Sequence, residues 1–458
     1  EYISTRNNSD HFSFKNVFLK GLADDGGLFV PKSIKPFSKD ELNKLSSFNY
    51  NELAAEVILP FIGDFMTKEE LISIVSKSYS NFRAEDVVKI SDLGKLKVLE
   101  LYHGPTLAFK DIAMQGIGNM YENILKKNNL NINLIVATSG DTGAAAIDAV
   151  KNRPNIKIFV LHPENKISAI QRKFMTTVNA PNVFNIAIDG NFDDCQDAIK
   201  SMFNDKNFRK KINLSGVNSI NWARIVFQIV YYFFSYFKIA NNYEKVNFSI
   251  PTGNFGDAYA GYIAKKMGLP INKLIIATNT NDILKRALTT GHYKPSNVEH
   301  TISPSMDIQV ASNFERLIFN VSNLDKKIID LMSSLKMQGE YKIENQDLKK
   351  IKSDFEAESL TEEETINTIK NVYEKYEMLV DPHTAVGIGV ANKVSLNEKI
   401  IVLSTAHPAK FPEIVLKSTN KKPELPSNLN DILNKEEKFE KLPNNLENIK
   451  NYILQSAK

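Results

Sequence analysis

The chain reads Glu100-Leu-Tyr-His-Gly-Pro-Thr-Leu-Ala-Phe-Lys110-Asp at a point where an apolar strand ends and a helix begins. A lysine in the first turn of a helix is electrostatically unusual, because that end of a helix carries positive partial charge. Three apolar residues precede Lys110, which indicates that its amine points into a pocket. Desolvation lowers the pKa of a lysine and makes it a better nucleophile, as a Schiff base requires. Taken alone, an exposed lysine near a helix start would be the simpler interpretation.

Two glycine-rich loops elsewhere in the chain favour a buried, reactive Lys110 over an exposed one. The first is Thr138-Ser-Gly-Asp-Thr-Gly143, and the second is Pro251-Thr-Gly-Asn-Phe-Gly256; each follows an apolar strand and opens a helix. Glycine lets backbone N–H groups face a ligand, and the N-terminus of a helix attracts anions. Either loop by itself could be a plain connector. Together with Lys110, the two loops indicate a ligand with two separated anionic groups and a carbonyl.

Two further positions become informative beside these loops. Thr405 follows an apolar strand and would face the crevice where open α/β sheets bind ligands, although a strand-end threonine often has no role. Arg224 stands in the apolar segment 222–237 and, if buried, needs an anion, either a carboxylate of the protein or a ligand. This segment is shorter than the roughly 20 residues of a membrane span, and polar residues interrupt it, so we expect a buried core helix.

These motifs, in this order, resemble those of threonine synthases, which are pyridoxal-phosphate enzymes. The resemblance covers most of the chain, from Tyr2-Ile-Ser-Thr-Arg6 through Asn218-Ser-Ile-Asn-Trp-Ala-Arg224 to Leu403-Ser-Thr-Ala-His-Pro408. Asp141 stands where the wider fold family usually has asparagine, and aspartate is typical of the longer threonine synthases. A shared order of several segments is far more specific than any one motif.

The resemblance implies an α/β fold of the tryptophan-synthase-β-like type (fold type II), with two open, mostly parallel sheets, covering helices and a mainly helical N-terminal domain. Alternating strand and helix patterns favour the same layout. Strands are predicted at 97–101, 132–137, 156–161, 183–188, 246–250, 274–278 and 400–403. The expected domains are an N-terminal one (1–90), a large cofactor-binding one (91–110 and 205–415), an inserted small one (111–204) and a C-terminal extension (416–458).

Two polar regions receive less definite predictions. Residues 325–380 are rich in lysine and glutamate and are predicted to be helical. From about residue 418 the chain is rich in Lys, Asn, Glu and Pro, which predicts a solvated tail that packs through a few apolar residues.

The resemblance also implies a reaction: O-phospho-L-homoserine and water give L-threonine and phosphate, by γ-elimination and β-addition of water. This is the last step of threonine biosynthesis. Lys110 would hold pyridoxal 5'-phosphate as a Schiff base and then act as general base. Residues implied to contact the cofactor besides Lys110 are Asp141, Gly253, Asn254, Phe255, Gly256, Asp257 and Thr405. Those implied to bind the substrate are Thr138, Ser139, Thr142, Asn218, Ser219 and Arg224.

Each implied contact has a stated role. Asp141 would lie near the phenolic oxygen of the cofactor, the 253–256 loop would cradle its phosphate, and Thr405 would meet the pyridine nitrogen. The 138–142 loop would bind the substrate carboxylate, and Arg224 the substrate phosphate, since guanidinium geometry suits a phosphate. Lys166 and Ser168 are weaker candidates for a lid.

Composition limits the other classes of function. The 458 residues include 57 basic and 53 acidic ones, and this mild, mixed charge does not indicate a nucleic-acid partner. The single cysteine, Cys195, fits a reducing cytoplasm. No signal peptide opens the chain, and no metal-binding spacing occurs among its histidines. We expect a cytoplasmic monomer, with a dimer as the alternative, and no membrane or metal.

Two alternative functions remain open at this point. A dehydratase, or a phospholyase that yields 2-oxobutyrate, would keep Lys110 and the phosphate loop; the N-terminal module and Arg224 disfavour a dehydratase. A metabolite-binding relative without catalysis is disfavoured by the presence of Lys110, both loops and Thr405 together.

Overall fold

A computed structural model describes residues 1–165 and 167–457 of the chain. The N-terminal region combines helices with a three-stranded antiparallel sheet of order β2-β1-β3. Its elements are β1 (Tyr2–Ser4), β2 (Asn7–Phe12), α1 (Phe14–Lys20), β3 (Phe29–Pro31), α2 (Lys39–Ser46), α3 (Tyr50–Ile62) and α4 (Lys68–Tyr79). Helices α2, α3 and α4 each begin with a capping box, which satisfies their first N–H groups. The small sheet was not predicted, because β1 and β3 have only three residues each and β2 is almost entirely polar, so none of them shows an alternating apolar pattern.

The remaining elements alternate as the sequence predicts, and each predicted strand is confirmed. From residue 89 to residue 216 they are β4 (Lys89–Leu93), β5 (Leu96–Glu100), α5 (Lys110–Asn128), β6 (Ile132–Ala137), α6 (Asp141–Val150), β7 (Ile156–Pro163), α7 (Ala169–Thr176), β8 (Val183–Asp189), α8 (Phe192–Asn204), α9 (Lys206–Ile212) and β9 (Leu214–Gly216). From residue 222 onward they are α10 (Trp222–Ile239), β10 (Val246–Pro251), α11 (Gly256–Lys266), β11 (Ile271–Thr278), α12 (Ile283–Thr290), β12 (His292–Tyr293), α13 (Phe314–Ser322), α14 (Asp325–Gln338), β13 (Tyr341–Lys342), α15 (Asn345–Asp354), β14 (Phe355–Ser359), α16 (Glu362–Tyr376), α17 (Pro382–Lys393), β15 (Ile400–Ser404), α18 (Pro412–Thr419), β16 (Glu440–Pro443) and α19 (Leu446–Ser456).

The larger sheet has six strands in the order β14-β11-β10-β15-β5-β4. Its neighbours are parallel except for β4, which pairs antiparallel with β5 at one edge. The opposite edge, β14, lies in the segment that was predicted to be entirely helical, and that prediction was wrong there. The strand reads Phe-Glu-Ala-Glu-Ser, and its parallel pairing with β11 overrides its low strand propensity.

The smaller sheet has five parallel strands in the order β16-β8-β7-β6-β9. Strand β16 comes from the C-terminal region, and Ile449 and Ile453 of the following helix α19 are fully buried in the core beside this sheet. The prediction of a largely solvated tail that packs through a few apolar residues is confirmed, but the sequence did not predict that the tail forms β16 and α19. Strands β9 and β16 lie outside the range 111–204 of the predicted small domain, and the domain boundaries stay a prediction.

Helix α10 forms the centre of the core. Every residue from Trp222 to Tyr236 is buried, and the helix packs against α3, α5 and α11. The prediction of a buried core helix is confirmed, and within residues 1–165 and 167–457 no helix is long and apolar enough to cross a membrane. Arg224 lies in the first turn of α10 and is buried in the core.

The C-terminal helix gives the first prediction. Ile453→Ala should lower the free energy of unfolding by about 2–5 kcal/mol, because it leaves a cavity in the core beside the small sheet. The measurement is urea unfolding followed by circular dichroism. Leu433→Ala is the control, since Leu433 is 50% exposed and should change little. Equal stability of the two variants would show that α19 does not dock as described.

Candidate active site

Lys110 begins helix α5, at the end of β5 and against the end of β15. Phe109 donates its N–H to the carbonyl of Thr405 at 2.8 Å, and His407 donates to the carbonyl of Leu107 at 3.0 Å. These two hydrogen bonds fix the segment before the helix to the segment after β15. The helix start and the strand end are therefore held side by side, as the sequence predicted for Lys110 and Thr405.

The turn before Lys110 depends on a carboxylate that caps it. Asp111 accepts hydrogen bonds from the backbone N–H of Thr106 at 2.8 Å and from its hydroxyl at 2.6 Å. A Cβ added to Gly104 would lie 2.5 Å from the Cβ of Asp111, so a larger residue does not fit there. Arg83 holds the same turn by donating to the carbonyl of Gly104 at 2.5 Å. The Gly-Pro-Thr part of the motif thus shapes the turn that presents Lys110.

The amine of Lys110 is electrostatically perturbed, as expected for a nucleophile. Its pKa is lowered to about 8, mainly by burial; Asp141 opposes this shift, and Arg224 and Lys410 add to it. A lysine with this pKa is about one-tenth neutral at pH 7, far more than an ordinary lysine. These effects also mean that residues from three distant parts of the chain lie around the amine of Lys110.

Asp141 forms a buried ion pair that the sequence did not reveal. Its Oδ1 lies 2.6 Å from Nζ of Lys410, and the two side chains are 4% and 0% exposed. Burial opposes ionisation of the carboxyl, but Lys410 and Lys110 outweigh it and hold its pKa well below the ordinary value. Gln171 donates to the same oxygen at 3.3 Å. Asp141 is therefore an anion at the N-terminus of α6, facing the lysines.

The 138–142 loop is shaped from within by Thr138. Its hydroxyl oxygen accepts hydrogen bonds from the N–H groups of Gly140 and Gly143, both at 2.9 Å. Ser139 and Thr142 are half-buried, and neither side chain hydrogen-bonds to the part of the chain that the structure describes. Thr138 thus orders the loop, and its O–H proton and the hydroxyls of Ser139 and Thr142 have no acceptor among the described residues.

Arg224 is buried without a counter-ion. Its Nη1 donates to the carbonyl of Val217 at 3.1 Å, and its buried Nε has no hydrogen-bond partner among the described residues. No carboxylate of residues 1–165 or 167–457 forms an ion pair with it. Burial lowers the pKa of this guanidinium to about 10. The interpretation of Arg224 as a structural ion pair has no support in this region of the molecule.

The segment before α10 is joined to the second glycine loop. Asn218 and Ser219 are half-buried, and the carbonyl of Ser219 accepts a hydrogen bond from the side chain of Asn313 at 3.2 Å. The backbone N–H of Asn313 donates to the carbonyl of Asn254 at 3.1 Å. One asparagine therefore sets the spacing between the predicted substrate-phosphate segment and the predicted cofactor-phosphate loop.

The 253–256 loop ends at the start of α11 and packs closely. A Cβ on Gly253 would lie 2.6 Å from the carbonyl oxygen of Ser305, and Phe255 takes a left-handed backbone with φ of 65°. The first hydrogen bond of the helix runs from Tyr259 N–H to the Phe255 carbonyl at 2.9 Å, so the N–H groups before it remain available.

Asp257 uses its side chain inside the core. One carboxylate oxygen accepts hydrogen bonds from the hydroxyls of Tyr231 and Tyr232, at 2.5 and 2.9 Å. Burial raises its pKa to about 6. The side chain thus ties α11 to α10, and the backbone N–H is the part of Asp257 that faces the loop.

Thr405 lies next to a series of hydrogen-bonded polar side chains. Its side chain is nearly buried and forms no hydrogen bond with the residues that the structure describes. The neighbouring Ser404 hydroxyl meets that of Thr384 at 2.9 Å, and Thr384 in turn hydrogen-bonds to Asp381. The Thr405 hydroxyl therefore remains free for a ligand.

Two sets of residues at the site were missed from the sequence. Lys410 follows the recognised strand end closely, and its apolar surroundings, Pro-Ala before it and Phe after it, were the available signal. The other set is Asn313 and Arg316 at the start of α13, where charged residues alternate with large apolar ones. Of the weaker lid candidates, Ser168 caps α7 and Lys166 lies outside the described residues.

The N-terminal region reaches the site through α13. Arg6 donates to both oxygens of Glu315, at 3.0 and 2.8 Å. The next residue, Arg316, is fully buried and donates to the carbonyls of Phe29 at 3.0 Å and Ile220 at 2.6 Å. These contacts hold the segment before Arg224 against the N-terminal sheet.

Comparison with known proteins points to one family throughout. Residues 1–79 match the model of the threonine synthase N terminus, residues 92–405 that of pyridoxal-phosphate dependent enzymes, and residues 384–453 that of the threonine synthase C-terminal region. A threonine synthase of Pseudomonas aeruginosa is 42% identical over 459 residues, which covers 99% of this chain and 98% of the relative. One of Saccharomyces cerevisiae is 41% identical, over 90% and 88% of the two chains.

The fold comparison agrees with the sequence comparison. The crystal structure of a threonine synthase from Brucella melitensis with bound pyridoxal phosphate superposes with a TM-score of 0.96 at 43% identity, and the match covers 100% of this chain and 99% of that one. The similarity therefore extends over both sheets, the N-terminal region and the C-terminal helix.

The perturbed amine gives the second prediction. In cofactor-free protein with ¹³C-dimethylated lysines, the Lys110 resonance should titrate near pH 8, while exposed lysines titrate near 10.5. Because its pKa is lowered, the amine loses its proton as the pH rises through 8, well before the others do. Loss of the signal in Lys110→Ala assigns it, and Lys15→Ala is the control. A Lys110 midpoint near 10.5 would contradict the described burial.

Proposed function

The chain belongs to the threonine synthase family, and we propose that the site around Lys110 converts O-phospho-L-homoserine and water to L-threonine and phosphate. The enzyme is a pyridoxal-phosphate-dependent lyase of threonine biosynthesis. The single observation that supports this substrate most is Arg224, a buried guanidinium that has no carboxylate partner and lies close enough to lower the pKa of Lys110. Because a buried charge is costly unless it is paired, this guanidinium favours a substrate that carries an anionic group.

The residues of the site fit pyridoxal phosphate. The helix start at Gly256 offers free N–H groups, which suit the phosphate. Lys110 offers an amine that loses its proton readily, and Thr405 a free hydroxyl. When bound, the cofactor supplies an aldehyde that combines with amines and a ring that accepts electron density from the substrate.

Lys110 would move the protons of the reaction. Its pKa of about 8 lets it take a proton from the substrate Cα near neutral pH and give it back later. Asp141 lies near this amine, so the positive charge that Lys110 gains has an anion beside it. Because Lys110 would also carry the cofactor, it would lie close to the reacting carbons of the substrate.

The substrate would be held at its two ends. Ser139 and Thr142 would donate their free hydroxyls to the carboxylate, together with N–H groups at the start of α6. Arg224 would bind the phosphate, with Asn218 and Ser219 beside it, and would stabilise the charge that the departing phosphate carries away. A Thr405 hydroxyl at the ring nitrogen, unlike a carboxylate, does not hold a proton on that nitrogen.

The finer statements on location and assembly are part of this proposal. We place the enzyme in the cytoplasm, which is supported by a lone, buried cysteine, Cys195. A monomer remains the prediction for its oligomeric state, with a dimer as the alternative.

The third prediction concerns the products. Purified holoenzyme with O-phospho-L-homoserine should release L-threonine and phosphate in equal amounts, measured by chromatography and a phosphate assay in the same sample. 2-Oxobutyrate in place of threonine would identify the phospholyase or dehydratase alternative and contradict the proposal. L-Serine and L-threonine serve as control substrates: the first should give no pyruvate and the second no 2-oxobutyrate.

The fourth prediction separates the two phosphate sites. Arg224→Leu should lower kcat/KM for O-phospho-L-homoserine by two or more orders of magnitude, since losing one partner of a buried charge pair costs about 2–5 kcal/mol and about 1.4 kcal/mol is tenfold. The visible absorbance of bound cofactor should remain. Arg153→Leu, which removes an arginine paired with Glu122 on the far side of α5, is the control. Lost cofactor with intact substrate affinity would reverse the two assignments.

A further inference from the structure

The side chain of Lys410 is completely buried beside Asp141. Its Nζ contacts Oδ1 of Asp141 at 2.6 Å and donates to the carbonyl of Thr106 at 2.9 Å. The same nitrogen lies 4.9 Å from the centre of the Phe174 ring, within cation–π range. No part of this side chain is exposed, so its charge is fixed by these neighbours.

The ion pair joins the two sheets. Lys410 stands in the turn after β15 of the larger sheet, and Asp141 opens helix α6 after β6 of the smaller one. A buried ion pair is weak evidence for stability, because removing two charges from water costs about as much as their attraction returns. Its position beside Lys110 suggests a role in the electrostatics of the site.

The two partners act on Lys110 in opposite directions. Asp141 raises the pKa of the Lys110 amine, and Lys410 lowers it. Without Lys410, the aspartate would be an unbalanced anion beside Lys110 and would favour its protonated form. Without Asp141, Lys410 would be an unbalanced cation with the reverse effect.

We propose that Lys410 is a positioning residue that balances the charge of Asp141 and thereby favours loss of the proton from the nitrogen of Lys110. The proposal rests on the proposed function in one respect, that Lys110 carries the cofactor. It explains why an aspartate is tolerated where its negative charge would otherwise face both the nucleophile and the cofactor. The carboxylate, held by Lys410, keeps a fixed orientation and cannot act as a rival base.

The experiment compares wild-type holoenzyme with Lys410→Met, Asp141→Asn and the double variant, all without substrate. The readout is the pH midpoint of the visible absorbance of cofactor linked to Lys110. We expect the midpoint to rise by about one unit or more in Lys410→Met and to fall in Asp141→Asn, as a single nearby charge commonly shifts it. In the double variant, both charges are gone and the midpoint should return close to that of the wild type.

Lys399→Met is the matched control. Lys399 stands just before β15, donates to Glu244 at 2.5 Å and is far less buried, so the midpoint should not move. An unchanged midpoint in Lys410→Met, or a shift in the double variant as large as in the single ones, would overturn the proposal. If Lys410→Met does not fold, the other two variants test the proposal. The pH midpoint should then fall in Asp141→Asn and return close to the wild-type value in the double variant.

A second readout separates this proposal from the proposed function. In cofactor-free protein, the NMR midpoint of the Lys110 amine should also rise in Lys410→Met and fall in Asp141→Asn, whatever the substrate. These shifts with no threonine formed would leave the Lys410 role standing and contradict the function. Threonine formation with no shift of the pH midpoint in either readout would support the proposed function and contradict the role of Lys410.

Discussion

Uncompensated positive charge in a buried cleft is the constraint on which the site depends. Arg224 and Lys410 both act on the amine of Lys110, and Asp141 is the acidic group that acts on the two lysines. Burying a cation without a partner is costly, so the site is electrostatically incomplete until anions bind. A cofactor phosphate, a substrate phosphate and a substrate carboxylate supply that charge. Burial is the main reason why Lys110 loses its proton more easily than an ordinary lysine, and Arg224 and Lys410 add to that effect.

The scaffold holds these charges in place from outside the site. Asn313 links the segment before Arg224 to the second glycine loop, and Arg316 fixes the same segment to the N-terminal sheet. Glu315 then receives Arg6 from the N-terminus itself. The N-terminal region thus helps to hold the segment before Arg224 in place beside the second glycine loop.

The sequence predicted what depends on local pattern, and missed what depends on distant pairing. Apolar strands that end in glycine or hydroxyl residues located Lys110, both loops and Thr405, and family resemblance added Arg224. The Lys410–Asp141 pair joins residues far apart in the chain, and β14, β16 and α19 are held by neighbours that no local window contains. The sequence also did not predict that the Thr138 hydroxyl oxygen orders its own loop by accepting hydrogen bonds from Gly140 and Gly143, and its contact with the substrate stays a prediction.

The central claim is that two separate sites receive two phosphates. The most direct measurement is a crystal structure of the holoenzyme with a phosphonate analogue of O-phospho-L-homoserine, which cannot lose its phosphorus group. The account predicts the cofactor phosphate at the N-terminus of α11 and the phosphonate against the guanidinium of Arg224. A phosphonate bound elsewhere, with Arg224 facing a protein carboxylate or the cofactor phosphate, would contradict it.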